Sequence, residues 1–160
     1  MIDDIDASLL SILQRNGRTA NAELARRVGL TPSAVFERIR KLEQRGIVRG
    51  YTALVDPTAV GLGLLAFVLV RSADPLGTDR VAQAIAKAPE VLEVHNVAGE
   101  DCYLVKVRAV DTKDLSRVLR KRFGALKSIT GTRTIIVLNT IKETTSLVVR
   151  RPGVEASAGG

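Results

Sequence analysis

The sequence predicts an α+β protein: an N-terminal helix-turn-helix domain of winged or three-helix type, joined to a ferredoxin-like βαββαβ domain. Three observations support this prediction. The chain has 160 residues, which suits two small domains. Apolar residues recur with helical periodicity through its first third. Beyond that, apolar strand-like runs and helical runs alternate in the order β-α-β-β-α-β.

Apolar stripes and boundary residues predict the first two helices. The first stripe, with spacings of 0, 4, 7 and 8 residues, is Ile5, Leu9, Ile12 and Leu13. Asp3 or Asp4 is the expected N-cap, and Asn16-Gly17 the end. The second helix follows Thr19 and ends at Gly29. Its expected inner residues are Leu24, Ala25 and Val28. Because Ala20 cannot cap, the second N-cap is expected from Thr19 or Asn21.

The third helix is predicted to begin at Thr31-Pro32, since Thr caps and Pro suits the first helical position. Its inner stripe is Val35, Ile39 and Leu42, and Gly46 ends it. The short turn Gly29-Leu30-Thr31 indicates a helix-turn-helix. An ordinary three-helix bundle without a DNA role has the same pattern, so the turn alone leaves both readings open.

The outer face of the third helix favours DNA. It combines Arg with Ser, Glu and Gln, side chains that read base edges in the major groove. The candidate DNA-binding residues are Thr31, Ser33, Phe36, Glu37, Arg40, Lys41 and Gln44. Arg38 lies nearer the buried stripe, so we expect it to pair with an acid such as Glu23 rather than to read a base.

The domains are predicted at residues 1–50 for the helices, 51–61 for a linker strand and hinge, and 62–150 for the βαββαβ domain, with a frayed tail at 151–160. The linker strand belongs to the apolar run 47–55. The four domain strands are expected at 62–70, 91–98, 103–110 and 132–140. Helices capped by Thr78 or Asp79, and by Asp111 or Thr112, connect them. The strand 62–70 is apolar on both faces, although two helices cover only one. We therefore expect the bare face to pack on a second copy, as a homodimer.

Charge and composition narrow the function classes. The net charge is +7, and residues 18–49 hold eight basic and three acidic residues, which suits double-stranded DNA. Cys102 and His95 are the only Cys and His, so we expect no disulfide, no metal site and no cofactor. The two could in principle form a nucleophile pair, but an inert Cys is commoner. The acidic N-terminus and short apolar runs argue against export or membrane insertion, so a cytoplasmic location is expected.

Three stretches carry a resemblance to the leucine-responsive/asparagine-responsive (Lrp/AsnC, feast/famine) family of transcription regulators, over roughly residues 2–150. The stretch DDIDASLLSILQRNGR resembles that family's first helix. AELARRVGLTPSAVFERIRKLEQRGIVRGY is similar to its helix-turn-helix and exit strand, and VLEVHNVAGEDCYLVKV to the hairpin of its effector (RAM) domain.

The resemblance implies a non-catalytic regulator that forms dimers, often octamers with DNA around the outside, and binds an amino-acid effector near the hairpin turn. The effector-binding candidates are His95, Asn96, Gly99, Glu100, Asp101 and Cys102. Backbone N–H groups of the turn suit a carboxylate, and an acid suits the ammonium. Cys102 stands where the family often has Asp, so a neutral effector is expected.

Two alternatives accompany this reading. An effector-independent, DNA-organising protein fits the same architecture. So does an enzyme resembling the sirohaem decarboxylases, although a single His argues against that chemistry.

Overall fold

The computed structural model describes residues 2–75 and 78–150, and the predicted tail at 151–160 lies outside them. The chain forms two compact units. One contains residues up to Leu54 together with the described residues from Glu143 onwards, and the other contains Val55–Lys142. The boundary at Glu143 differs from the expected domain 62–150. The last described residues contact the helical unit, where Gln14 Nε2 donates to the Leu147 carbonyl oxygen at 3.0 Å and Leu147 N–H donates to Gln14 Oε1 at 2.6 Å.

Three helices form the first unit: α1 (Asp4–Arg15), α2 (Asn21–Val28) and α3 (Pro32–Gln44). Their predicted stripes meet in one core, in which the most deeply buried side chains are Leu9, Leu24 and Val35. Asp3 caps α1 as expected, within a capping box completed by Asp6. Thr31 caps α3. The three-helix prediction is therefore confirmed.

The expected cap of α2 is wrong. Neither Thr19 nor Asn21 caps this helix, because Ala20 occupies the N-cap position without a side-chain hydrogen bond. The Thr19 hydroxyl instead donates to the carbonyl oxygen of Asn16 at 2.8 Å, which secures the turn after α1. Gly29 ends α2 in the left-handed conformation (φ +71°), which glycine adopts without a steric penalty.

The residues between α3 and the sheet do not form the expected linker strand. Residues 47–63 contain no strand, and no wing hairpin follows α3 in the described part of this unit. A β-strand needs a neighbouring strand to take its backbone hydrogen bonds. Tyr51 of this segment instead lies against the turn that follows α1, where a Cβ placed on Gly17 would be 3.0 Å from the Tyr51 ring.

The second unit has the predicted βαββαβ order. Its strands are β1 (Leu64–Ser72), β2 (Val91–Asn96), β3 (Tyr103–Ala109) and β4 (Ile129–Ile136). Helix α4 (Arg80–Ala86) follows β1, and α5 (Thr112–Val118) follows β3 and continues into a π-helical turn, Leu119–Phe123. The antiparallel sheet has the strand order β2-β3-β1-β4. This is the ferredoxin-like arrangement that the sequence predicts.

Strands β2 and β3 start where expected but end earlier, at Asn96 and Ala109, whereas β1 and β4 are shifted along the chain. β1 starts and ends two residues later than predicted, while β4 starts at Ile129 and ends at Ile136 rather than spanning 132–140. The pairing of β1 with its two neighbours explains this. The first residue of β1 lies opposite Ala109 of β3, and its last residue, Ser72, lies opposite Ile129 of β4, so both neighbours together set the bounds of β1.

The helices cover one face of this sheet. On β1, that face contributes Ala66, Val68 and Val70, which lie in a core with residues of α4, α5 and the π turn. The alternate residues Leu65, Phe67 and Leu69 project to the opposite, open face. The prediction that β1 is apolar on both faces is therefore confirmed.

Candidate DNA-binding face and effector turn

Helix α3 presents all of its predicted DNA-binding residues to solvent. The inner stripe of α3 packs into the core, so the opposite face of the helix points to solvent, because side chains of a helix repeat every 3.6 residues. The exposed residues on or next to this face are Thr31, Ser33, Phe36, Glu37, Arg40, Lys41 and Gln44. They form one continuous surface with hydrogen-bonding, cationic and apolar groups.

The polar side chains of this face form only weak contacts within the protein, which DNA can replace. Arg40 Nη2 donates to Glu37 Oε2 at 2.9 Å, and both side chains are half exposed. Such surface pairs contribute about 0–1 kcal/mol, so Arg40 can leave Glu37 for a guanine edge or a phosphate at small cost. The Thr31 hydroxyl accepts from Ala34 N–H at 3.3 Å, which ties it to the cap of the helix.

Phe36 is the apolar member of the face, with 54% of its surface exposed. It borders a groove of about 250 Å³ that also contains Asn21, Arg40 and Tyr51. Phenyl groups contact the methyl group of thymine in the major groove. Exposure of a large apolar side chain beside Arg40 therefore fits a surface that meets base edges.

Arg38 has a structural role, as predicted, but its expected partner is wrong. Its Nη1 donates to Asp3 Oδ2 at 2.6 Å and to Asp6 Oδ1 at 2.8 Å, so it joins α3 to the start of α1. The Asp6 backbone N–H and the Arg38 guanidinium both lower the pKa of Asp3. Glu23 pairs within its own helix, where hydrogen bonds from Arg26 and Arg27 lower its pKa to about 2.

The predicted effector turn lies between β2 and β3. Val97 N–H donates to the Cys102 carbonyl oxygen at 3.0 Å and closes the hairpin. Gly99 has φ +135°, a conformation that favours glycine. The backbone N–H groups of Gly99, Glu100 and Asp101 form no hydrogen bond within the described residues. They are therefore available to an anionic group.

Asp101 is not a free carboxylate. Its Oδ2 lies 3.2 Å from Nη2 of Arg133, a β4 residue whose side chain is 69% exposed. Asp101 itself is only 18% exposed. The sequence reasoning missed Arg133, because the strand order that brings β4 near the start of β3 is not a local property of the sequence. Arg71 is a second missed cation: it lies against Gly131 on β4, where a Cβ would be 2.9 Å from its guanidinium.

The other predicted effector residues, His95, Asn96 and Cys102, are less well placed than the turn to contact a bound effector. His95 Nε2 lies 3.1 Å from Glu93 Oε2, on the exposed surface of β2. Asn96 is exposed at the end of the same strand. The Cys102 thiol contacts the backbone of Ser72, with the sulfur 3.4 Å from Ser72 N and 3.7 Å from its carbonyl oxygen. Cys102 is thus in contact with β1.

These contacts take His95 and Cys102 to different partners, so the geometry offers no support for a nucleophile pair. Residues 2–75 and 78–150 contain no group of three or more His, Cys, Asp or Glu side chains arranged to hold a metal ion. None of the described helices is both long enough and apolar enough to cross a membrane.

Both parts of the chain match known protein families. Residues 2–43 match the AsnC-type helix-turn-helix domain, and residues 65–147 match the Lrp/AsnC ligand binding domain. The HTH-type transcriptional regulator FL11 of Pyrococcus horikoshii is 38% identical over 149 residues, covering 93% of this chain and 97% of that protein.

Solved structures resemble the fold over nearly its whole length. A transcriptional regulator of Neisseria meningitidis in complex with L-methionine is 37% identical, with a TM-score of 0.84 over 92% of this chain and 96% of that one. A feast or famine regulatory protein of M. tuberculosis, also complexed with L-methionine, is 38% identical, with a TM-score of 0.85 over 92% and 99% of the two chains.

Proposed function

Because the chain belongs to the Lrp/AsnC family of DNA-binding transcription regulators, we propose that α3 reads its operator and that a neutral amino acid, bound at the turn 99–101, changes this binding. The observation that carries the proposal is the turn itself. It offers three unused backbone N–H groups beside a largely buried carboxylate, Asp101. An α-amino acid has the complementary pair of groups.

Helix α3 contributes two kinds of DNA contact. Arg40, released from Glu37, donates two guanidinium N–H groups to O6 and N7 of a guanine, and Gln44 and Ser33 complete the reading of base edges. Lys41, at the edge of the face, binds a phosphate and fixes the register of the helix on the duplex. A regulator that binds the chromosome of a bacterium or archaeon acts in the cytoplasm.

The effector is held by its two charged ends. Its carboxylate accepts from the N–H groups of Gly99 and Glu100, as in other backbone anion sites. Its ammonium binds Asp101, whose carboxylate has enough lone pairs to keep one contact with Arg133. Cys102, whose thiol contacts the backbone of Ser72, adds no negative charge near the turn that would attract a cationic side chain. L-methionine, found in the complexes of the Neisseria and M. tuberculosis relatives, has a neutral side chain of the expected kind.

Homodimers are proposed to form through the open face of the sheet, and octamers from such dimers. Leu65, Phe67 and Leu69 form an apolar row along β1 on this face, in which Leu65 is buried and Phe67 and Leu69 are half-buried. Ile135, opposite Phe67 on β4, widens the row and is 47% exposed. Apolar patches of this kind mark interaction surfaces, and a second copy would bury the same row against itself.

A non-catalytic role accompanies this proposal. His95, the one histidine in the sequence, is occupied by Glu93 at the surface, which does not favour decarboxylase-like chemistry on a tetrapyrrole. An absorbance titration of the purified protein with sirohaem is expected to show no spectral shift. A saturable shift would favour the enzyme.

A thermal-shift screen of the twenty amino acids tests the effector proposal. At 100 times the dissociation constant, a ligand stabilises the folded protein by about 2.7 kcal/mol. We expect L-methionine or another neutral amino acid to do so. Stabilisation by lysine or arginine alone would contradict the role assigned to Cys102, and no stabilisation by any amino acid would favour an effector-independent, DNA-organising protein.

A further inference from the structure

A second concentration of positive charge lies outside the helix-turn-helix, on α5 and the π turn that follows it. Residues 113–127 contain six basic residues and one acidic residue. This density exceeds that of residues 18–49, which hold eight basic and three acidic residues.

Four of the six basic residues of this segment share one face. Lys113, Arg117, Arg120 and Lys121 follow at spacings of 0, 4, 7 and 8 residues, which is a single helical stripe. All four are exposed. We call them the α5 basic stripe. The opposite side of the same segment is buried in the core of the sheet unit, through Leu115, Val118 and Phe123.

The π turn helps to separate these two sides. Gly124 N–H donates to the carbonyl oxygen of Leu119 at 2.9 Å, five residues back. A Cβ on Gly124 would lie only 2.8 Å from the carbonyl oxygen of Arg120, so this closure fits glycine. As a result Phe123 is 2% exposed while Arg120 and Lys121, just before it, face solvent. Single π turns inside helices are frequent at functional sites.

Most of the stripe has no internal counter-charge. Arg117 Nη2 lies 2.6 Å from Asp114 Oδ1 and 3.5 Å from Glu90 Oε1. Lys113, Arg120 and Lys121, in contrast, form no ion pair with any residue in 2–75 or 78–150. Exposed cations grouped in this way repel one another and favour an anionic partner.

We propose that the α5 basic stripe binds DNA phosphates outside the bases that α3 reads. The stripe spans about 12 Å from Lys113 to Lys121 at 1.5 Å per residue, the length of roughly three phosphate repeats on one strand. The stripe consists of cationic side chains alone, which suits a polyanion. Phosphate binding needs charge alone, and it adds affinity without sequence preference. The proposal goes beyond the function proposed above, in which α3 alone contacts DNA.

The salt dependence of DNA binding tests this. The full chain, wild type or Arg120→Gln/Lys121→Gln, is titrated into a random-sequence duplex of about 100 base pairs at several KCl concentrations. Each phosphate contact contributes about 0.9 to the slope of log K against log[salt]. We expect the double variant to lower the slope by roughly 1–2 per bound chain. Both side chains are exposed and form no ion pair with a described residue, so circular dichroism and thermal unfolding should match the wild type.

A matched control variant loses the same two positive charges at a different place in the sheet unit. Arg80→Gln/Lys87→Gln removes two exposed cations at the ends of α4, in the same unit. It should leave the slope unchanged. Equal changes of slope in both double variants would show a general effect of net charge and overturn the proposal. An unchanged slope in Arg120→Gln/Lys121→Gln would also overturn it, and would assign the stripe to solvent or to an acidic protein.

Discussion

Oδ2 of Asp101 lies 3.2 Å from Nη2 of Arg133, so an ion pair connects the hairpin turn to the far strand of the sheet. The proposed ammonium ligand is therefore already paired with a cation before any effector binds. Because Asp101 and Arg133 can be replaced separately, a role of Asp101 in effector binding can be distinguished from a purely structural role in the ion pair.

Replacement of Asp101 should abolish the effector response. A hydrogen bond to a charged group contributes about 1.5–3 kcal/mol, so Asp101→Ala should weaken amino-acid binding roughly 10- to 100-fold by calorimetry. DNA binding without effector should be retained, since α3 lies in the other unit. Arg133→Ala is the control: it breaks the pair but keeps the carboxylate, and should bind the effector within a few-fold of wild type. Equal losses in both variants would mean that the ion pair merely holds the turn.

The recognition helix can be tested at Arg40. Arg40→Ala should weaken binding to a duplex selected from a random pool by about 1–3 kcal/mol, and relax the preference for one base pair. Arg15→Ala, which removes an exposed charge at the end of α1, should leave that preference intact. If Arg40→Ala discriminates among bases as the wild type does, α3 does not read the operator through this residue.

The open face of the sheet can be tested at Phe67. An aspartate there would place a charge in the middle of the apolar row, and the proposed dimer interface would remove it from water together with its cross-strand neighbour Lys106, which is unfavourable. Phe67→Asp should therefore shift the mass measured by light scattering towards the monomer, with the circular dichroism of a folded chain. Leu138→Asp replaces an apolar residue that is 98% exposed and should leave the assembly unchanged. A folded Phe67→Asp protein of wild-type mass would place the interface elsewhere.

Arg38 should matter for stability rather than for DNA reading. Asp6 is only 8% exposed, and Arg38→Ala leaves its carboxylate without this partner. We expect a loss of about 1–3 kcal/mol in urea unfolding at pH 6. Arg26→Ala, which breaks an exposed pair within α2, should cost less. A fully stable Arg38→Ala protein would show that the pair does not hold α1 to α3.

The contacts of Asp3 with Arg38 and with the backbone N–H of Asp6 predict that the stability of the protein depends on pH. The pKa of Asp3 in the folded protein lies below its usual value of 3.8. Its ionised form is thus favoured by folding, and that stabilisation is present above about pH 4 and lost as the pH falls through the folded-state value. The stability gap between wild type and Asp3→Asn should therefore narrow from pH 6 to pH 3. A gap of constant size would contradict this.

Periodicity predicted what is local. The stripes of α1 to α3 determined which side of α3 is exposed, and every candidate on that side lies at the surface. Tertiary partners were not predictable in the same way. Arg38 could have met any acid near the buried stripe, and its choice of Asp3 and Asp6 over Glu23 depends on how α3 packs against α1. The expected linker strand is absent for a related reason. The β-branched residues at 47–55 favour a strand, but a strand forms only where a neighbouring strand takes its backbone hydrogen bonds.

The candidate effector site shows the same division. The turn at Gly99 was predictable from glycine and flanking strands, but Arg133 lies some thirty residues away and reaches Asp101 only because β4 adds beside β1 in the strand order β2-β3-β1-β4. Likewise, Cys102 looked like a pocket residue from its place in the motif. Its thiol contacts the backbone of Ser72, a neighbour that the pairing of β1 and β3 supplies.

Coupling between the two units is the central claim, and one measurement tests it most directly. The dissociation constant of the wild-type protein for a duplex selected from a random pool is determined with and without saturating L-methionine, and then with each other amino acid. Allosteric coupling of 1–3 kcal/mol corresponds to a change of about 5- to 150-fold. We predict a change in this range for at least one neutral amino acid, lost in Asp101→Ala. Identical dissociation constants with all twenty amino acids would contradict the account.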